Sequence, residues 1–97
     1  MRNYELMYIV KPTLDEEARK AVIEKSHAIL TDNGGTIENI NEWGLRELAY
    51  EIEDFKKGHY VVTTFASEET AVNEFNRLTR INKDVLRHMI VRLDEKI

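Results

Sequence analysis

The stretch MRNYELMYIV, residues 1–10, constrains the chain more than any other. A half-buried strand alternates apolar and polar side chains. Tyr4, Leu6, Tyr8 and Val10 supply one apolar row, as such a strand should. Met7 and Ile9 make the opposite row apolar as well. A fold for this sequence therefore has to account for both faces of its first strand, in only 97 residues.

The remaining patterns arrive in a regular order. Pro12 stops the first strand, and Thr13 with Glu16 three residues on fits a capping box. Between Leu14 and Asn33, the residues Val22, Ile23, Ser26, Ile29 and Leu30 share one arc of a helical wheel. Glu17, Lys20, Glu24 and His27 take the other, polar arc. Gly34 is placed for a left-handed cap at the end of this helix. Strand patterning resumes at Thr36 and runs through Ile37, Ile40, Leu45 and Leu48, with Gly44 suggesting a bulge. EDFKKG, from Glu53 to Gly58, reads as one of the longer hairpin connections. HYVVTTFA is rich in strand formers. Ser67, read as an N-cap, opens a second helix with Ala71, Val72, Phe75 and Leu78 at helical spacing. Val85 to Leu93 reads as a last strand.

The order β-α-β-β-α-β is that of two split halves joined by a hairpin. It predicts a ferredoxin-like α+β sandwich, a single domain over residues 1–97, with a four-stranded antiparallel sheet in the order 4-1-3-2 carrying both helices on one face. The second face of the sheet is then open to solvent. Leu6, Tyr8, Val10, Val61 and Phe65 should point to the helices. Met7, Ile9, Tyr60 and Val62 should point away, with Met89 and Val91 as the outward pair of the last strand. Each large apolar side chain left wet forgoes about 1.5–3 kcal/mol of burial, and a clustered patch of them reads as a surface for a partner.

Composition narrows the function classes. No cysteine is present, so there is neither a disulfide framework nor a thiolate metal site. No apolar run approaches the roughly 20 residues a bilayer-spanning helix needs, and the start does not resemble a secretory signal. A reducing, cytoplasmic setting is the expectation. The net charge of −4 argues against a self-sufficient nucleic-acid binder. It conceals an asymmetry: residues 1–55 carry six basic and twelve acidic side chains, and residues 56–97 carry eight and six.

Catalytic constellations are missing. His27, His59 and His88 fall on different elements, and the expected strand order separates the last two. No glycine-rich phosphate loop follows a strand, since the glycines after Asn33 end a helix. Asp15, Glu16 and Glu17 occupy a first helical turn, where the dipole accounts for them. KPTLDE lacks the arginine-bearing loop an acylphosphatase would need. KGHYVVTTF has a basic residue, a glycine and an aromatic, but not the paired stacking rings of a single-strand RNA reader. Neither an enzyme nor a cofactor site is expected.

At GLRELAYEI, from Gly44 to Ile52, the sequence resembles the bacterial small-subunit ribosomal protein six family. MRNYE, KKGHY and RINKDVLRHMIVR extend the resemblance over nearly the whole chain, in order. Glu51 departs from the family pattern, where many relatives have proline. The resemblance implies a ferredoxin-like fold and a structural role in the small ribosomal subunit. It further implies binding to the central domain of 16S ribosomal RNA, paired with small-subunit ribosomal protein eighteen. A basic partner would relieve the acidic first half and cover the bare sheet face. Arg2 and Tyr4 match the family's start and become candidates for RNA contact, although Tyr4 could equally close the core edge. Arg80, Arg87 and Arg92 are phosphate candidates, since guanidinium forks fit phosphate oxygens. Arg46 and Tyr50 join Met7, Ile9, Tyr60, Val62 and Met89 as candidates for protein contact. Trp43 fits either an interface anchor or a bulge-packing role. The competing reading is a small ferredoxin-like regulatory or ligand-binding domain that oligomerises through its open sheet.

Overall fold

The computed structural model describes residues 1–93; residues 94–97 of the expected domain lie outside the described residues. Among the described residues the chain forms β1 (Arg2–Val10), α1 (Glu16–Asp32), β2 (Thr36–Ile52), β3 (Phe55–Ser67), α2 (Glu69–Arg80) and β4 (Val85–Arg92). The strands make one antiparallel sheet in the order β2-β3-β1-β4. The ferredoxin-like order and topology are those expected from the periodicities.

Strand parity sets the core. Leu6, Tyr8 and Val10 of β1 lie in register with Thr63, Val61 and His59 of β3. Leu6, Tyr8, Val10, Val61 and Phe65 are all buried beneath the helices. Val22, Ile23 and Leu30 of α1 and Phe75 of α2 close this core from above. Phe75 packs between two other rings, Tyr8 of β1 at 6.5 Å and His88 of β4 at 5.6 Å, and so joins α2 to these two strands. The ion pair of Lys11 Nζ with Asp84 Oδ1, at 3.0 Å, ties the end of β1 to the turn before β4.

Local punctuation differs from expectation in three places. The N-cap of α1 is Asp15, whose side chain accepts from the Ala18 N–H at 2.8 Å, two residues beyond the Thr13 expected. Thr13, Asp15 and the following glutamates all suit a helix start, and the later cap wins by reaching the N3 amide. Ser67 is not the cap of α2: it ends β3, is fully buried and donates to the Glu68 carbonyl. Glu68 takes the cap position without a side-chain bond. EDFKKG is not a long loop, because Ile52 pairs with Phe55 across a two-residue turn. Glu53 and Asp54 have φ of 51° and 70°, both left-handed. That is the backbone of a type I′ turn, which favours Asn-Gly and penalises bulkier L-residues. Replacing both, as Glu53→Asn with Asp54→Gly, should raise unfolding free energy by about 1 kcal/mol, read by urea denaturation.

The bulge expected at Gly44 is present. The β2–β3 register slips between Glu42 and Gly44, and Gly44 has φ of 84°.

His27 is a further departure. Counted on the polar arc, it is in fact buried against the sheet. With Ile23, Ser26 and Leu30 it forms a stripe at spacing i, i+3, i+4, i+7, the geometry of a core-facing helix. Its Nε2 lies within hydrogen-bonding distance of two hydroxyls, Thr63 Oγ1 at 2.8 Å and Tyr8 Oη at 3.3 Å. Burial lowers the His27 pKa, and the nearby Glu42 opposes this in part. His88, whose ring bonds Asn76 Oδ1 at 2.9 Å, is also lowered, by burial and then by Arg80. The unfolded chain therefore binds more protons than the folded one just below the ordinary histidine pKa of about 6.5. Stability should fall as pH drops through that window. His27→Gln should flatten the slope of unfolding free energy against pH there, and an unchanged slope would show that His27 carries no part of it.

Candidate interaction face

The face of the sheet away from the helices holds the outward row of β1, with its neighbours in register on either side. Met7 pairs with Val62 of β3 and with Met89 of β4; Ile9 pairs with Tyr60 and Arg87. Met89 and Val91 project outward and are 52% and 45% exposed. Met7, Tyr60 and Val62 are half-buried. The two methionines thus sit side by side at the middle of this face. Among the described residues no helix lies over it, and Met7, Tyr60, Val62, Met89 and Val91 face outward as expected.

Two aromatic groups extend the face toward the sheet's edge. Trp43, thrown out at the Gly44 bulge, stacks on Tyr60 with ring centroids 6.0 Å apart and planes within 13°. The Arg46 guanidinium lies 5.4 Å from the Trp43 ring centroid, and its Nε donates to the Trp43 carbonyl at 3.4 Å. Arg46 and Trp43 of edge strand β2 therefore form a ladder with Tyr60 of the neighbouring β3, with Trp43 still 43% exposed. Packing at the bulge and presentation to a partner, the two roles open for Trp43 in the sequence, are here compatible. Nothing in the alternation of β2 marks the ladder; only the glycine beside the tryptophan hints at it.

The expected row fails at one end. Ile9 is only 5% exposed, although no helix covers it. The cover comes from the β2–β3 hairpin, whose end runs past β1. Residues Phe55–Gly58 of β3 have no β1 partner, because the β1–β3 register stops at Val10 and His59. The β2–β3 register then jumps from Glu47–Lys57 to Ile52–Phe55, so four β2 residues oppose a single residue of β3. The surplus folds onto the open face. Leu48, Ala49, Tyr50 and Ile52 line a recess of ≈ 150 Å³ with Met7, Ile9, Tyr60 and Arg87. Gly58 makes the close approach possible, since a Cβ there would come within 2.3 Å of Ile9 Cγ2. Ile9 is thereby removed from the set of side chains free to meet a partner.

Tyr50 reaches across to the far edge strand. Arg87 Nη1 donates to Tyr50 Oη at 2.6 Å, and the guanidinium lies 5.5 Å from the Tyr50 ring centroid. Tyr50 remains 62% exposed.

The RNA candidates do not converge on one patch. Tyr4 belongs to the core: it is 6% exposed and stacked on Phe65 at 5.4 Å, so burial takes it out of the contact set. Arg2, exposed, meets Glu69 at 3.8 Å at the N-terminus of α2. Arg92, also exposed, lies opposite Tyr4 at the same end of the sheet. At the opposite end, Arg80 and Arg87 share a recess with Lys83, rimmed by Glu53. This corner is the densest cluster among the candidates. Arg77, left aside in the sequence, pairs with Glu74 on its own helix. Among the described residues, no group of histidine and acidic side chains is arranged to hold a metal ion.

The fold and the face define a ferredoxin-like α+β domain with an apolar, ring-lined open sheet and basic groups at its ends. The chain's relatives give that class a particular member. The model for the family described as "Ribosomal protein S6" matches residues 3–92, and the chain belongs to the ribosomal protein S6 family. Among solved structures, the 30S ribosomal protein S6 from Thermotoga maritima superposes with a TM-score of 0.90 at 30% identity. That match covers 95% of this chain and 87% of the other. The chain is thus a small-subunit ribosomal protein of the cytoplasm, from a structural family.

Proposed function

We propose that this protein binds the central domain of 16S ribosomal RNA as a pair with small-subunit ribosomal protein eighteen, without any catalytic role. The supporting observation is the uncovered apolar centre of the open face, Met7, Val62, Met89 and Val91, continued by Tyr60 and Trp43. Solvated, such a surface wastes burial free energy; beneath a second protein it becomes the dry middle of an interface with an aromatic and arginine rim. A chain of net charge −4 gains a phosphate-binding surface most readily by joining a basic partner. Its own contribution centres on the corner of Arg80, Lys83 and Arg87.

Sedimentation combined with RNA binding tests the reading. The pure chain should sediment as a monomer and bind central-domain RNA weakly, then bind it tightly once the partner protein is added. A tight homodimer that gains nothing from the partner would favour an oligomerising ligand-binding domain instead.

A further inference from the structure

The geometry points to Leu48–Ile52 as a strap that Tyr50 latches to Arg87 and that phosphate releases by taking Arg87, which uncovers Ile9 at the protein-binding face. The identity of the phosphate as RNA, and of the face as a protein interface, rests on the proposed function; the latch itself does not.

Three observations carry it. First, the strap is weakly held by its own ladder. Its residues fall in the four-against-one slip of the β2–β3 register, and it closes through a turn with two left-handed non-glycine residues, Glu53 and Asp54. Segments with few ladder bonds and exposed surfaces open first. Second, its hold across the sheet is specific: the Arg87–Tyr50 hydrogen bond and ring contact, with Leu48 and Tyr50 lining the recess over Ile9. Third, Arg87 has a better acceptor within chemical reason. A phosphate takes charge-assisted, often bidentate bonds from a guanidinium, about twice as strong as those to a neutral phenol. Arg80 and Lys83 line the same recess of ≈ 360 Å³ and would add to its hold on an anion.

Glu53 makes the two states exclusive. Among the described residues it is the only carboxylate lining that recess, and it sits on the turn that closes the strap. A closed strap therefore sets a negative charge against an incoming phosphate; an open one withdraws it. Anion at the corner and cover over Ile9 oppose each other, so anion binding favours exposure of the apolar face.

Amide hydrogen exchange of the full chain tests this without RNA, using inorganic tripolyphosphate as the probe. Arg87→Ala should speed exchange at residues 48–52 about tenfold, from loss of both the hydrogen bond and the ring contact. Tyr50→Phe, which keeps the ring, should give a smaller acceleration. Amides of Val22 and Ile23 in α1 should stay unchanged. Tripolyphosphate should accelerate the strap in the unaltered protein and add nothing in Arg87→Ala. Unchanged strap exchange in Arg87→Ala would overturn the latch, and acceleration by the variant but not by tripolyphosphate would overturn release by phosphate. Failure of RNA to bind in the sedimentation experiment would remove the proposed function and leave these exchange results standing.

Discussion

Met89→Glu should leave the folded chain as stable as before and weaken binding of the partner protein about a hundredfold or more. Met89 is more than half exposed on an edge strand, so in the free protein the new carboxylate stays in water. Surface changes of this kind usually shift stability by no more than about 0.5 kcal/mol. Beneath a partner the same carboxylate would enter the dry centre of the contact, beside Met7, its neighbour in register. Burying an unpaired charge costs several kcal/mol even after relaxation, and each 1.4 kcal/mol is a factor of ten in affinity. Titration calorimetry with the partner protein, run beside urea denaturation, separates the two quantities. Equal losses in both would make Met89 part of the core and reverse the assignment of faces.

Phe75→Ala should do the opposite. Phe75 is fully buried on the helix side and packs between the Tyr8 and His88 rings. Truncating a buried phenylalanine costs about 3–5 kcal/mol, the transfer term plus a cavity the neighbours fill only partly. Native domains hold about 5–15 kcal/mol in all, so the loss is a large share of the total. At about 4–8 °C per kcal/mol for a domain of this size, Tm should fall by roughly 12–40 °C. Partner affinity measured well below the transition should barely move, because Phe75 does not reach the open face. The pair of substitutions thus reads the two faces of one sheet, one through binding and the other through stability.

What was legible in the chain is what short-range periodicity encodes. The order of elements, the inward row of β1, the bulge at Gly44 and the outward placement of Met7, Met89, Tyr60 and Val62 all follow from spacing and a few turn residues. The wheel misplaces His27 because a polar residue there carries no sign of the Thr63 and Tyr8 hydroxyls that bond its ring in the core. Tyr4 showed the reverse ambiguity, since an aromatic near a terminus serves a core edge or a surface equally well until Phe65 stacks on it. The strap was the main omission. LAYEI alternates in the manner of any strand, and nothing local reveals that four of its residues will face one on β3. That slip arises from a long-range mismatch: the hairpin outruns β1, so its surplus length has no neighbour to hold it flat. For the same reason Ile9 looked exposed by parity and proved covered. The arginines were easy to single out and impossible to group, because α2 separates Arg2 and Arg92 from Arg80 and Arg87 by its full length.

The open face as the site of partner binding is tested most directly by carbon-13 methyl spectra of the methionines in the complex. Met7 and Met89 face the open side together, and Met1 at the chain start serves as an exposed reference. With the isoleucine and valine methyls labelled as well, adding the protein partner should shift the Met7 and Met89 methyl signals and give them cross-saturation, while Ile81 and Val72 on the helix side stay unperturbed. Cross-saturation confined to Ile81 and Val72, with Met7 and Met89 unchanged, would contradict the assignment of this face to the partner.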